Sequence, residues 1–228
     1  MGKAITLHLA AQENHRVYFS YYQSKDAAQE IEQKYPNTKG LYCDFSQEQS
    51  IENLCDYIDR MELQALINNA CTPIENNHFH KISAQTFKNN FFSNILPTIQ
   101  ITQRAITGFR KRKFGRIITV TTAFLVNKPP LGLSSYVAEK AYLASLCKSW
   151  AIENVNFNIT SNCIAPSMMV TPFTQHIDER IIESAVQAHP FKRLLTPEET
   201  AATVDLLLNA PCHVNGATWV LNGAADVI

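Results

Sequence analysis

Glycine is scarce in this chain: seven occur in 228 residues, and none lies between Gly2 and Gly40. A glycine-rich turn, which lets the backbone close on a phosphate at a helix N-terminus, therefore has only Gly2 available near the start. Cysteine is present but unpaired in pattern. The six residues, at 43, 55, 71, 147, 163 and 212, form no C-x-x-C and have no histidines at ligand spacing. That excludes a zinc-ribbon framework and reads as buried thiols of a reducing compartment. Neither sign of charge is in excess, with 20 basic and 20 acidic side chains, so nothing draws the protein to nucleic acid or an anionic membrane. The basic run Arg110 to Lys113 reads as the cationic end of a helix. Apolar stretches fall well short of the ~20 residues that a membrane helix needs. No charged-then-apolar signal opens the chain, and a cytoplasmic location is expected. His78 and His80 lack further ligands nearby and read as a loop, so no metal is expected.

What is there suffices for one domain over residues 1–228, with 46% hydrophobic and 18% charged residues. Short apolar runs alternate with helix-period segments, the pattern of βαβ units around a parallel sheet. Strands are expected at Val17 to Tyr21, Gly40 to Phe45, Ala65 to Asn68, Arg116 to Thr121, Asn158 to Ile164 and Thr218 to Leu221. Helices are expected over Lys3 to Gln12, Asp26 to Lys34, after a Ser46 cap, through most of Ser83 to Gly108, and from Ser134 or Ser135 to Glu153. Thr196-Pro197-Glu198-Glu199 carries a capping box with proline in the first turn. The chain thus begins on a helix, although the first crossover of a parallel sheet normally hangs from a preceding strand.

The chemistry concentrates in Tyr136-Val137-Ala138-Glu139-Lys140, downstream of the apolar run Arg116 to Thr122 that ends in hydroxyls. Residues four apart share a helix face, so the Lys140 ammonium can stand beside the Tyr136 phenol and lower its pKa from about 10. A proton donor of that kind suits ketone reduction, in which hydride reaches carbon while the developing alkoxide takes a proton. Standing alone, the pair reads equally as a packed tyrosine and a surface lysine.

The order of segments resembles the short-chain dehydrogenase/reductase family from Gly2 to about Gly223. Gly2-Lys3-Ala4-Ile5 is similar to the last glycine of the family's phosphate turn and the helix after it. Asn68-Asn69-Ala70-Cys71 resembles Asn-Asn-Ala-Gly, with Cys71 in the last place, and Ile164-Ala165-Pro166-Ser167, with Thr171 after it, resembles the Pro-Gly loop beside the nicotinamide. The resemblance implies a Rossmann-like, doubly wound parallel sheet in a single domain whose first strand is absent. It implies catalytic roles for Asn94, Thr122, Tyr136 and Lys140: Tyr136 as acid, Thr122 holding the substrate carbonyl, Asn94 binding a water that passes protons through Lys140. The family's usual spacing back from the tyrosine lands on Ala123; strand alignment favours Thr122, with one extra residue assigned to the loop from Asn127 to Gly132. Cofactor contacts fall on Gly2, Ser24, Lys25, Asp44, Phe45, Asn69, Ala70, Tyr136, Lys140, Pro166 and Thr171. Ser24 and Lys25 follow the second strand where an acid would select NAD, so NADP is expected and NAD is the lesser alternative.

The resemblance runs closest to 3-oxoacyl-acyl carrier protein reductases and implies a small-molecule or acyl-thioester substrate. Lys113 matches one carrier-docking base; the other falls near Phe157 and is not basic, which leaves a carrier protein a possible partner only. A substrate cover is expected between Pro172 and Phe191, and a homo-oligomer through the helices flanking the site. A second reading keeps the fold but not the chemistry: a non-catalytic relic or interaction subunit that has lost dinucleotide binding. The missing strand and turn are also the expectation if Met1 is an internal methionine of a polypeptide starting roughly fifteen residues earlier.

Overall fold

A computed structural model describes residues 1–72, 76–126, 128–171 and 178–227. The order is α1 (Gly2–Ala10), β1 (Val17–Tyr21), α2 (Lys25–Lys34), β2 (Thr38–Tyr42), α3 (Glu48–Asp59) and β3 (Ala65–Asn68). There follow α4 (Ala84–Asn90), a π turn (Phe91–Ile95), α5 (Leu96–Arg112), β4 (Gly115–Val120), α6 (Ser134–Asn154), β5 (Ile159–Pro166), α7 (Glu179–Ala188), α8 (Pro197–Leu208) and β6 (Thr218–Leu221). Every strand pair is parallel, in the order β2-β1 and β3-β4-β5-β6. The fold is a single-domain Rossmann-like α/β sandwich. Among the described residues no helix is long and apolar enough to cross a membrane.

The sheet is broken between β1 and β3, and no strand among the described residues joins them. Burial follows the break. β5 is buried along its whole length and β4 at all but Arg116, as strands covered on both faces must be. No residue of β1 or β3 reaches that burial. Helix α1 lies across the gap: Ile5 and Leu9 form one cluster with Ile118, Ile164, Val204 and Leu207, against which both Val17 of β1 and Ile67 of β3 pack.

Two local expectations are corrected. Strand β2 runs over Thr38–Tyr42 rather than Gly40 to Phe45, because its register pairs Thr38 with Val17. The chain then turns away where Asp44 N–H donates to Ser50 Oγ at 2.9 Å. Helix α3 is capped by Gln47, not Ser46, whose hydroxyl donates instead to Asp44 Oδ1 at 2.7 Å. The cysteines divide: 43, 55, 147 and 163 are buried, Cys71 is half-buried and Cys212 is exposed. The basic run does close helix α5, whose C-cap Lys113 is left-handed at φ 55°.

Candidate active site

Strand ends position the site. In a parallel sheet all carboxyl ends open on one edge, and ligands of such folds bind outside that edge. The expected residues gather there: Ser24 and Lys25 after β1, Asp44 and Phe45 after β2, Asn69 and Ala70 after β3, Thr122 after β4, and Pro166 at the end of β5 with Thr171 beyond. Asn94 lies in the π turn and Tyr136 and Lys140 in the first turns of α6.

Thr122 extends beyond β4 and starts a short turn, accepting from Phe124 N–H at 3.4 Å, and its side chain is hydrogen-bonded to that of Tyr136. Ala123 next to it is buried and has no hydroxyl to offer. Lys140 is 94% buried by the residue's surface, at 6% exposure, and donates to Val120 O at 3.0 Å. Its ammonium stands 5.8 Å from the centre of the Tyr136 ring. Three of the four proposed catalytic side chains are thus brought together at the end of β4. The extra loop residue invoked for that alignment involves Asn127, which lies outside the described residues. Gly132, at the far end of the same loop, is at φ 82°, and a Cβ there would collide with Asn76, so this close crossing requires glycine.

The phenol does not have the depressed pKa expected of it. Burial pushes it up to about 12, and the Glu139 carboxylate acts in the same direction, while the Thr122 hydrogen bond pulls it back. One of the three ammonium donors of Lys140 goes to the strand carbonyl. In the protein alone, Tyr136 is a protonated phenol throughout the physiological range. Cys71, in the place of the expected glycine, is likewise held as a thiol by burial.

Asn94 is held by a network of its own. Its Oδ1 accepts from Thr72 N–H at 2.8 Å and Thr72 Oγ1–H at 3.0 Å, and its Nδ2 donates to Glu139 Oε2 at 2.9 Å. Its backbone carbonyl accepts from Thr98 Oγ1–H at 2.8 Å. The side-chain amide is therefore engaged at both ends. Sequence reasoning missed Thr72 and Glu139; the signal lay in an acid beside Lys140 in an otherwise apolar helix start.

The nucleotide-facing residues fit in part. A Cβ at Gly2 would sit 2.7 Å from Asn69 Nδ2, so the start of α1 presses on the end of β3 as a phosphate-turn glycine would require. Asn69 Oδ1 and Ser167 Oγ are buried without a protein partner, polar atoms on the edge where a nicotinamide amide and ribose would lie. Ser24 caps α2 without a side-chain cap bond and Lys25 is exposed beside it. Asp44 Oδ1 is taken by Ser46, accepting both its N–H and its hydroxyl. Between these two ends the chain supplies Gly2 alone.

The family model described as Enoyl-(Acyl carrier protein) reductase matches residues 1–223. The chain is 26% identical over 190 residues to the 3-oxoacyl-[acyl-carrier-protein] reductase MabA of Mycobacterium tuberculosis, covering 81% of this chain and 75% of that protein. It is 26% identical over 208 residues to the L-fucose dehydrogenase of Bos taurus, covering 86% and 75%. The crystal structure of a "putative gluconate dehydrogenase" from Agrobacterium tumefaciens superposes with a TM-score of 0.89 at 19% identity, over 99% of this chain and 92% of that one, a likeness of fold. With the match running almost end to end and the Tyr136, Lys140 and Thr122 geometry in place, this chain belongs to the short-chain dehydrogenase/reductase family.

Proposed function

We propose that this protein is an NADPH-dependent reductase that converts a carbonyl, a 3-oxoacyl group or a related ketone, to a hydroxyl. The observation that carries the reading is the buried Lys140 beneath a Tyr136 phenol hydrogen-bonded to Thr122. A bound nicotinamide dinucleotide would supply the hydride. Thr122 would orient the substrate carbonyl oxygen toward Tyr136, and Tyr136 would hand its proton to that oxygen as charge develops. The fixed positive charge of Lys140, desolvated at the strand end, would stabilise the phenolate left behind. Gly2, Asn69, Ala70, Pro166 and Thr171 would line the nicotinamide and phosphates, with Asp44 and Phe45 beside the adenine. Ser24 and Lys25, exposed at the N-terminus of α2, favour a 2′-phosphate and hence NADP over NAD.

The 3-oxoacyl assignment is supported by the MabA relationship and by charge. Lys113 closes α5, and Arg110 stacks 4.1 Å over the Phe157 ring, which returns a cation to the place where the expected base is missing. An acidic carrier protein therefore remains a candidate partner. The substrate cover expected between Pro172 and Phe191 lies at 172–177 outside the described residues, and continues into α7. Exposed Phe92, Tyr142 and Ile152, 61%, 44% and 79% accessible around α6 and the π turn, favour a homo-oligomer built on that face in a cytoplasmic protein.

The broken sheet and the single glycine favour a second reading, a family member that no longer holds a dinucleotide. One experiment separates the two: thermal shift and tryptophan quenching with NADPH against NADH, followed by NADPH oxidation with a β-ketoester. The reductase reading expects saturable binding with NADPH ahead of NADH, and turnover. No shift with either nucleotide would turn the assignment to the second reading.

A further inference from the structure

Glu139 has no part in the reaction assigned above, yet it is not placed as a solvated helix acid. Its residue is half-buried, its Oε2 accepts from Asn94 Nδ2–H, and the Asn90 amide also hydrogen-bonds it. Asn94 in turn accepts from Thr72 N–H and Oγ1–H. The chain Thr72, Asn94, Glu139 therefore ties together three segments remote in sequence: the loop after Cys71, the π turn and helix α6. Only one orientation of the Asn94 amide works, because the Thr72 backbone offers a donor and the carboxylate offers none. A π turn breaks the regular ladder of a helix and needs such outside ties to hold its shape. Glu139 also stands three residues after Tyr136, which puts carboxylate and phenol on adjacent faces of the same helix.

We propose that Glu139 is a positioning residue of this site: its carboxylate locks the Asn94 amide and the π turn against α6. The kinetic arm of its test rests on the reductase reading; the clamp itself does not. Among the described residues, the ionisable groups facing Glu139 are Tyr136 and Lys140 on its own helix and Cys71 across from it; Asn90 and Asn94 are neutral. Burial raises the Glu139 carboxyl above the usual range, opposed by the Asn94 and Asn90 hydrogen bonds and by Lys140.

The test compares Glu139→Gln, which keeps an acceptor for Asn94 and removes the charge, with Glu139→Ala, which removes both. NMR of the full chain follows the Asn94 side-chain amide against pH. In wild type the Asn94 amide should move with a midpoint above that of an ordinary glutamate, and in Glu139→Gln this titration should vanish while thermal stability stays near wild type. Glu139→Ala and Asn94→Ala should each loosen the fold, and the double variant should be about as impaired as either single one. With a β-ketoester, Glu139→Ala should lower kcat more than it raises KM, and Glu139→Gln should recover most of the loss. An Asn94 amide that titrates alike in wild type and Glu139→Gln, or alanine effects that simply add, would overturn the proposal. Should wild type reduce no carbonyl, the reductase reading falls while the NMR arms still decide the clamp.

Discussion

At the scale of residues, Tyr136 combines two tendencies that work against each other. Burial holds its proton at the expense of acidity, while the Thr122 hydrogen bond works the other way. If the phenol is the acid, Tyr136→Phe should slow ketoester turnover by at least about a hundredfold, within the ~10²–10⁴ range of general acid catalysis, and leave NADPH affinity nearly unchanged. A phenylalanine variant that keeps most of its rate sinks the assignment. Thr122→Ala should also lose turnover, and Thr122→Ser should match or exceed wild type, since serine keeps the hydroxyl without the stiff β-branch. Steady-state kinetics of the pair check this, and a Thr122→Ala enzyme with wild-type constants would hand the role to another group. Tyr136, Lys140 and Thr122 could be read from the sequence because helix spacing and a strand end dictate where they meet. The Glu139 partner could not, since it lies 45 residues away in Asn94 and depends on a π turn that no periodicity announces.

At the scale of elements, helix α8 shows what local chemistry fixes unaided. Thr196 Oγ1 accepts from Glu199 N–H at 3.1 Å while Glu199 Oε2 accepts from Thr196 N–H at 2.9 Å, the reciprocal box its sequence announces. Arg193 joins it through two bonds to the same carboxylate. Thr196→Ala should cost ~1 kcal/mol of unfolding free energy, measured by denaturant titration. The same carboxyl gives a pH signature. Hydrogen bonds from Arg193 first and from the Thr196 backbone next hold Glu199 down to about 2, so its contribution is full above the ordinary glutamate pKa and is lost as pH falls from there through about 2. Arg193→Ala should therefore flatten part of the stability loss on acidification below about pH 4.5, the unfolded value; identical acid profiles would show that the pair adds nothing. Helix caps of this sort are legible because their partners lie within four residues. The Ser46 cap was misread for the opposite reason: Asp44, two residues back, competes for the same hydroxyl. Strand β2 slipped by two residues at its start because its limits are set by pairing with β1, a contact that residues 38–42 do not announce on their own.

At the scale of the whole molecule, the break between β1 and β3 decides how firmly the site is held. The alternating apolar runs made the parallel order readable. How α1 covers the gap was not, because Ile5 and Leu9 had to find Val17 and Ile67 together. Hydrophobic cover does not satisfy backbone groups, however. In a parallel ladder the amides of one strand point alternately to its two neighbours. Val17 N–H donates to Asn37 O beside β2, and Arg116 N–H of β4 donates to Gln64 O beside β3. By that alternation, the amides of Tyr18 and Ser20 in β1, and of Ala65 and Ile67 in β3, face the break. These four should exchange hydrogen much faster than the amides of Ile117, Ile118 and Ile164 in β4 and β5, as native-state exchange resolved by NMR would record. Equal protection across both groups would mean that the gap is closed in solution. Engineering supplies the complementary test. Fusing an apolar strand of about five residues and a glycine turn ahead of Met1 gives each edge a partner, and at ~1 kcal/mol per net hydrogen bond a few such bonds are worth several kcal/mol. The fused protein should melt higher, protect those four amides and bind NADPH more tightly, because the same turn brings backbone N–H groups to the start of α1. A fusion that leaves melting, exchange and binding where they were would show that β1 and β3 do not accept a strand between them.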